Sequence, residues 1–143
     1  MEVVRWQDLP WKYARPQRLA DGRSAAYNFQ TLDSRPDRLV LHGRYDPGVV
    51  VRTHTHLGDE VMHVIEGELI VGDVHIVAPA TILFPGGTSN GPYIGGPGGA
   101  TTLEVFIGGS EVIATDDDGW YKVLAERGSE LLPDPTGGVN PRE

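Results

Sequence analysis

Between residues 39 and 107 the chain is written in short apolar and β-branched runs cut by turn signals. Residues 39–45 end at Asp46-Pro47-Gly48, and the brief β-branched run 49–53 follows. Residues 61–65 lead into Glu66-Gly67. Residues 68–71 and 74–77 flank Gly72-Asp73, which predicts a tight hairpin. Residues 81–84 stop at Pro85-Gly86-Gly87, and residues 101–107 stop at Gly108-Gly109. Short strands at this spacing predict an all-β antiparallel sandwich or barrel. Outside that span the pattern weakens. Residues 1–38 carry Trp6, Trp11, Tyr13 and Tyr27 and read as an N-terminal arm or outer strands, packing aromatics on the barrel or on a second subunit. Asp116-Asp117-Asp118-Gly119 reads as a turn, and residues 120–127 as a short helix or an edge strand. The Pro- and Gly-rich residues 131–143 read as a loosely structured C-terminal tail. With no repeat and no linker, the division is an arm (1–38), a barrel core (39–109), a C-terminal strand or short helix (110–130) and the tail.

Composition narrows the function classes. The 143 residues suit one domain, and 39% hydrophobic content supports a core. Twelve basic residues against 20 acidic give a net charge of −8, which argues against binding nucleic acid through phosphates. Cysteine is absent, so disulfides, iron–sulfur clusters, thiolate zinc sites and cysteine nucleophiles are excluded. The start, Met1-Glu2-Val3-Val4-Arg5-Trp6, lacks a signal-peptide pattern, and no apolar run reaches the roughly 18 residues of a membrane span. A cytoplasmic protein without membrane or nucleic-acid partners is expected.

Five histidines remain as candidate chemistry. His54 and His56 are two apart, so on a strand both rings leave the same face. Glu60 returns after Leu57-Gly58-Asp59, a plausible sharp turn. Two imidazoles and a carboxylate make a mixed site for iron(II), manganese, nickel, cobalt or zinc, with positions left open for water or substrate.

The frame around these residues is more specific than the pair alone. Gly48, His54, His56, Glu60 and Gly67 stand at the spacing G-x5-H-x-H-x3-E-x6-G, which resembles the first motif of the cupin family at every fixed position. Val64-Ile65-Glu66-Gly67-Glu68-Leu69 also resembles the strand and turn that follow in that family. The likeness covers residues 39–107 and implies a double-stranded β-helix, the jelly-roll barrel, with the site in its mouth. The second motif is partial. Pro85-Gly86-Gly87-Thr88-Ser89-Asn90 places Asn90 where the family has a fourth ligand, histidine; Pro79 and Ile94 replace the outer Gly and Asn. Asn90 then coordinates, holds a water ligand or binds substrate.

Strand parity and position place the other candidates. Arg52 shares the parity of His54 and His56, so it points inward to hold a substrate carboxylate or enolate, or lies on the rim. Met62 and Val64 share the parity of Glu60 and are expected to form the apolar pocket wall. Val61 and His63 point the other way, His63 as a packed or interface residue. His42 is expected to be structural and His75 to lie on the surface. Tyr93, just past the motif-two loop, is a substrate hydrogen-bond donor or a lid residue. The Gly-rich run 91–99 reads as a hairpin at the mouth, since no lysine and no helix start make it a phosphate loop. Asp59 and Glu104 are further candidates for a base, Asp59 reading better as a turn residue.

The resemblance implies a metal-dependent enzyme acting on a small enolisable or carboxylate-bearing molecule. One divalent metal per subunit is expected, Fe(II) first, then Mn, Ni or Zn. Iron-dependent dioxygenase chemistry is the first reading, with Glu60 a lasting ligand or a base that swings off. The alternatives are a redox-neutral lyase, isomerase, decarboxylase or cyclase, and a non-catalytic binding or sensor module. The intact H-x-H-x3-E argues against a metal-independent epimerase. Exposed sheet edges and the aromatic arm point to a homodimer.

Overall fold

The computed structural model describes residues 1–135. A short 3-10 turn, Trp6–Asp8, precedes β1 (Lys12–Arg18), β2 (Ser24–Arg35), β3 (Arg38–Tyr45), β4 (Val50–Val51), β5 (His54–Thr55), β6 (Asp59–Val71), β7 (Val74–Val77), β8 (Ala80–Phe84), β9 (Tyr93–Ile107), β10 (Ile113–Ala114), α1 (Asp117–Glu126) and β11 (Glu130–Leu131). All pairings are antiparallel.

Two long strands, β6 and β9, run together and serve both layers of the barrel. Residues 100–107 of β9 pair with β3 and with the first half of β6, which also carries β8. Beyond register shifts at Val64/Glu66 and Gly67/Leu69, the second half of β6 pairs with β7 and with Tyr93, Ile94 and Gly95 of β9. Gly67 makes that bend: its φ is +79°, and a Cβ there would run into the Gly99 carbonyl. The motif glycine after Glu60 is therefore a backbone requirement of the curl.

Alternation along the strands sorts the core. Leu39, Leu41 and Tyr45 of β3, Met62 and Val64 of β6, and Ala100 and Phe106 of β9 point inward. Tyr27 and Phe29 join them from β2, so the core extends N-terminal of residue 39. The outer strands are a hairpin of the same sheet, and Trp6 and Trp11 stack against His42 on its outside, with ring centroids 4.3 and 5.1 Å away.

Residues 120–127, open between helix and edge strand in sequence, fall mostly in α1. Asp116 caps it by accepting a hydrogen bond from the Gly119 N–H at 3.0 Å. Trp120 and Leu124 are buried on its inner side, and the Trp120 indole N–H donates to the Val50 carbonyl at 3.0 Å. Gln17 grips the same residue, donating to Val50 O at 2.8 Å and accepting from Val50 N at 3.0 Å. This clamp fixes the strand entering the site. The start of the expected tail is structured: β11 pairs with β1, and Asp134 accepts from the Arg15 backbone N–H at 2.9 Å. Residues 136–143 of that tail lie outside the described residues. No helix among the described residues is long and apolar enough to cross a membrane.

Candidate functional site

His54, His56 and Glu60 reach one cavity from different pieces of backbone. His54 opens β5, which pairs with β10 through Ala114. Its main chain also exchanges hydrogen bonds with Asn90, at 3.0 and 3.1 Å. His56 follows, and Glu60 is the second residue of β6. All three are buried, and the two imidazole centroids are 5.0 Å apart with rings nearly perpendicular.

The hydrogen bonds fix which nitrogen of each ring faces the cavity. His54 Nδ1 lies 2.7 Å from the Arg52 carbonyl. His56 Nδ1 lies 3.0 and 2.9 Å from the carbonyls of Ser110 and Glu111. A carbonyl only accepts, so each Nδ1 carries the proton and each Nε2 keeps its lone pair. Burial pulls the His54 pKa down to about 4, against the opposing effect of its hydrogen bond to Arg52. Burial also lowers that of His56. Both rings are thus neutral near pH 7. His56 Nε2 is buried without a hydrogen-bond partner, 3.7 Å from Glu60 Oε1. Two imidazoles tied at Nδ1, with His56 bare at Nε2, beside a carboxyl group, are a donor set that fits a divalent transition metal. Among the described residues no three His, Asp or Glu side chains stand in a coordinating arrangement. Glu60 is instead engaged by Glu104.

Glu104 is a candidate base in the sequence, and its place beside Glu60 is what strand parity does not reveal. Glu60 and Glu104 are diagonal neighbours across β6 and β9, since Glu60 faces Phe106 and Met62 faces Glu104. They share a hydrogen bond, and both carboxyl pKa values are raised, chiefly by burial. Hydroxyl groups donate to Glu104, Tyr27 at 2.6 Å and Thr102 at 3.0 Å, with Tyr45 at 3.3 Å, and these bonds oppose the rise. The phenols of Tyr27, Tyr45 and Tyr93 are held well above their usual pKa, first by burial and then by the nearby carboxylates.

These groups line one shared cavity. Leu41, Val51, Phe106, Val112 and three tyrosines give it apolar and aromatic walls, with Arg15 and Ser110 at the edge. Tyr93 stacks on His54 at 4.9 Å and on Phe84 at 5.8 Å, as a wall residue at the start of β9 and not a lid.

Two placements differ from expectation. Arg52 does not line this cavity. Its guanidinium lies 3.3 Å from Asp117 and 4.5 Å above the Trp120 ring. The chain is not extended strand at Arg52 and Thr53, between β4 and β5, so two-residue parity does not carry across. Met62 and Val64 point inward but are packed in the apolar core, outside the cavity lining. Asn90 lies beside a small second pocket shared with His54, His56 and Glu60, while its amide N–H group donates to Thr88 at 3.3 Å. His63 and His75 sit on the exterior, bonded to Thr81 and Glu68. Asp59 accepts from the Gly86 N–H at 2.8 Å, as a turn residue does. Arg15 enters the cavity wall because β1 breaks register there: its φ is +57°, a left-handed conformation rare for a long side chain. No sequence signal marks it beyond the following proline.

No family model and no curated protein matches the sequence. Solved structures do. KdgF from Halomonas sp. is 16% identical over 82% of this chain and 99% of its own, with a TM-score of 0.61. The polyketide cyclase RemF from Streptomyces resistomycificus is 19% identical over 90% and 96%, at 0.64. A sugar phosphate isomerase from a cupin superfamily, from Silicibacter pomeroyi DSS-3, is 23% identical over 78% of each chain, at 0.60. The chain has the cupin fold.

Proposed function

We propose that this chain is a metal-dependent enzyme that binds one divalent transition metal per subunit through His54, His56 and Glu60. Its substrate is a small enolisable or carboxylate-bearing molecule with an apolar or aromatic body. Dioxygenase chemistry on Fe(II) is the first reading. The observation that carries it is the pair of neutral imidazoles, each tied at Nδ1 to backbone carbonyls, with His56 Nε2 buried and bare beside a buried carboxyl group. When bound, the metal supplies Lewis acidity and, as Fe(II), one-electron chemistry toward dioxygen.

The chain's own groups do the rest. The carbonyls of Arg52, Ser110 and Glu111 hold the rings in one tautomer. Phe106, Val51 and Val112 exclude water, and Tyr93 braces His54 by stacking. Burial and the neighbouring Glu104 raise the Glu60 carboxyl pKa, and Glu60 would have to be ionised to serve as a ligand. Asn90, beside the smaller pocket, is placed to orient a substrate polar group.

One observation favours a second reading. A buried carboxyl pair beside the site can hold and return a proton, which suits a redox-neutral isomerase, lyase or cyclase as well as an oxygenase. The polyketide cyclase and the isomerase among the similar folds accord with it.

Metal content per subunit, after purification without a metal-affinity step, tests the proposal. Near-stoichiometric iron in wild type and its loss in His54→Ala are expected, followed by oxygen uptake with an enolisable substrate. Stoichiometric Mn, Ni or Zn without oxygen uptake would favour the redox-neutral reading. No metal, and none taken up on addition, would leave a binding module.

A further inference from the structure

We propose that Ser110 is a specificity-determining residue: its hydroxyl recognises a neutral carbonyl oxygen of the molecule that the cavity binds. This rests on the substrate reading above and narrows it to the enolisable carbonyl. Ser110 lies three residues past β9, on the connector 108–116 that leads to α1. Every other residue of that connector is exposed or half-buried, whereas Ser110 is buried, at 2% exposure. Burial at such a point ordinarily selects an apolar side chain, and a serine there needs a partner for its hydroxyl. Among the described residues Ser110 Oγ has none.

The backbone holds this residue in place from both sides. Gly108, with φ +88°, turns the chain out of β9, and the Gly109 carbonyl accepts from the Gly58 N–H at 2.9 Å. The Ser110 carbonyl accepts from His56 Nδ1 at 3.0 Å. The hydroxyl therefore belongs to the residue that orients the His56 ring. Of the buried side-chain polar atoms on the residues lining the cavity, Ser110 Oγ and His56 Nε2 lack a hydrogen-bond partner. The Tyr27 and Tyr45 hydroxyls are committed to Glu104. An unpaired buried hydroxyl is destabilising, so a ligand that brings an acceptor removes that cost on binding. Leu41, Val51, Phe106 and Val112 offer a lone water few further partners, but they suit a carbon skeleton. The arginine of the lining, Arg15, is paired with Asp134, so the cavity presents its hydroxyl to a neutral oxygen more readily than a cation to a carboxylate.

The test is an NMR titration of the full chain with cyclohexanone and with methylenecyclohexane, in which a methylene group replaces the carbonyl oxygen. A chelator is present throughout, so no metal contributes to affinity. The readout is the ratio of ketone affinity to hydrocarbon affinity within each variant. It is expected to fall about tenfold in Ser110→Ala and to hold in Ser110→Thr, which keeps the hydroxyl. Ligand-free Ser110→Ala should melt no lower than wild type, because the change removes an unpaired group. An unchanged ratio in Ser110→Ala, or wild type that binds neither probe, would overturn the proposal. So would a melting temperature several degrees lower in Ser110→Ala, which would mean that the hydroxyl is satisfied within the protein. Mn(II) uptake, measured separately without chelator, tells the two readings apart. A ratio that falls in Ser110→Ala, in a protein that takes up no Mn(II), sinks the metalloenzyme reading alone. Mn(II) uptake with an unchanged ratio sinks this proposal alone.

Discussion

At the scale of single residues, the site places ionisable groups where neither charge state is comfortable. His54 has a folded pKa of about 4, below the ordinary 6.5. The unfolded chain takes up its proton first as pH falls, so stability drops between about pH 6.5 and 4, by roughly 3 kcal/mol from this group. Glu60 and Glu104 act in the opposite sense. Their folded pKa values are raised, so their contribution is complete below about 4.5 and fades as pH rises toward the folded values. In the metal-free protein the two effects therefore oppose each other between about pH 4.5 and 6.5. Glu60→Gln, which cannot ionise, is expected to melt several degrees above wild type at pH 8 without metal and to match it below pH 4.5. A scanning-calorimetry series across pH checks this; equal melting at pH 8 would refute the cost assigned to Glu60. His54, His56 and Glu60 were legible in sequence because they lie within seven consecutive residues, at spacing that one strand and one turn convert to proximity. Glu104 was legible as a candidate base, but its meeting with Glu60, Tyr27 and Tyr45 is set by cross-strand register, which local pattern does not encode.

Among the elements, α1 and β1 both bear on the site through Val50. The Trp120 indole and the Gln17 amide share its carbonyl, and Gln17 also accepts from its N–H. Trp120→Ala removes a buried ring, the indole hydrogen bond and the face under Arg52, and is expected to cost about 3–5 kcal/mol. Arg52→Ala, judged by the same packing, should weaken α1 docking yet leave metal affinity within about threefold. Denaturant melts and Mn(II) titration of the two variants check both statements. A tenfold loss of affinity in Arg52→Ala would return that guanidinium to the site. The Arg52 expectation failed for an identifiable reason: alternation is a property of continuous strand, and the chain leaves that conformation between β4 and β5. The strand–turn pattern of 39–107 was legible because each strand is short and ends at Gly or Pro. The N-terminal hairpin was less so, since its buried residues run in an unbroken block, Ala14 to Gln17, at the register break.

For the whole molecule, the outer surface of the sheet is as informative as its inside. Leu83, on β8, is 70% exposed and lies beside the half-buried Val61, Val105 and Val40 of neighbouring strands. The Trp6–Trp11–His42 cluster stands on the same side. Apolar rows of this kind accord with the homodimer expected from the aromatic arm. Light scattering at micromolar concentration should give twice the 15.5 kDa of one chain. A mass of one chain would refute it, and Leu83→Glu is expected to shift the equilibrium toward the monomer.

The pairing of β11 with β1 carries a consequence for how the protein is born. Arg15, a wall residue of the cavity, is braced by Asp134, and the Pro16 carbonyl accepts from the Leu132 N–H at 2.9 Å. Synthesis delivers residue 15 early and residue 134 more than a hundred residues later. At a rate of roughly 5–20 residues per second, the cavity wall waits several seconds for its brace. Released chains truncated before residue 130 should hold a barrel with a loose cavity wall.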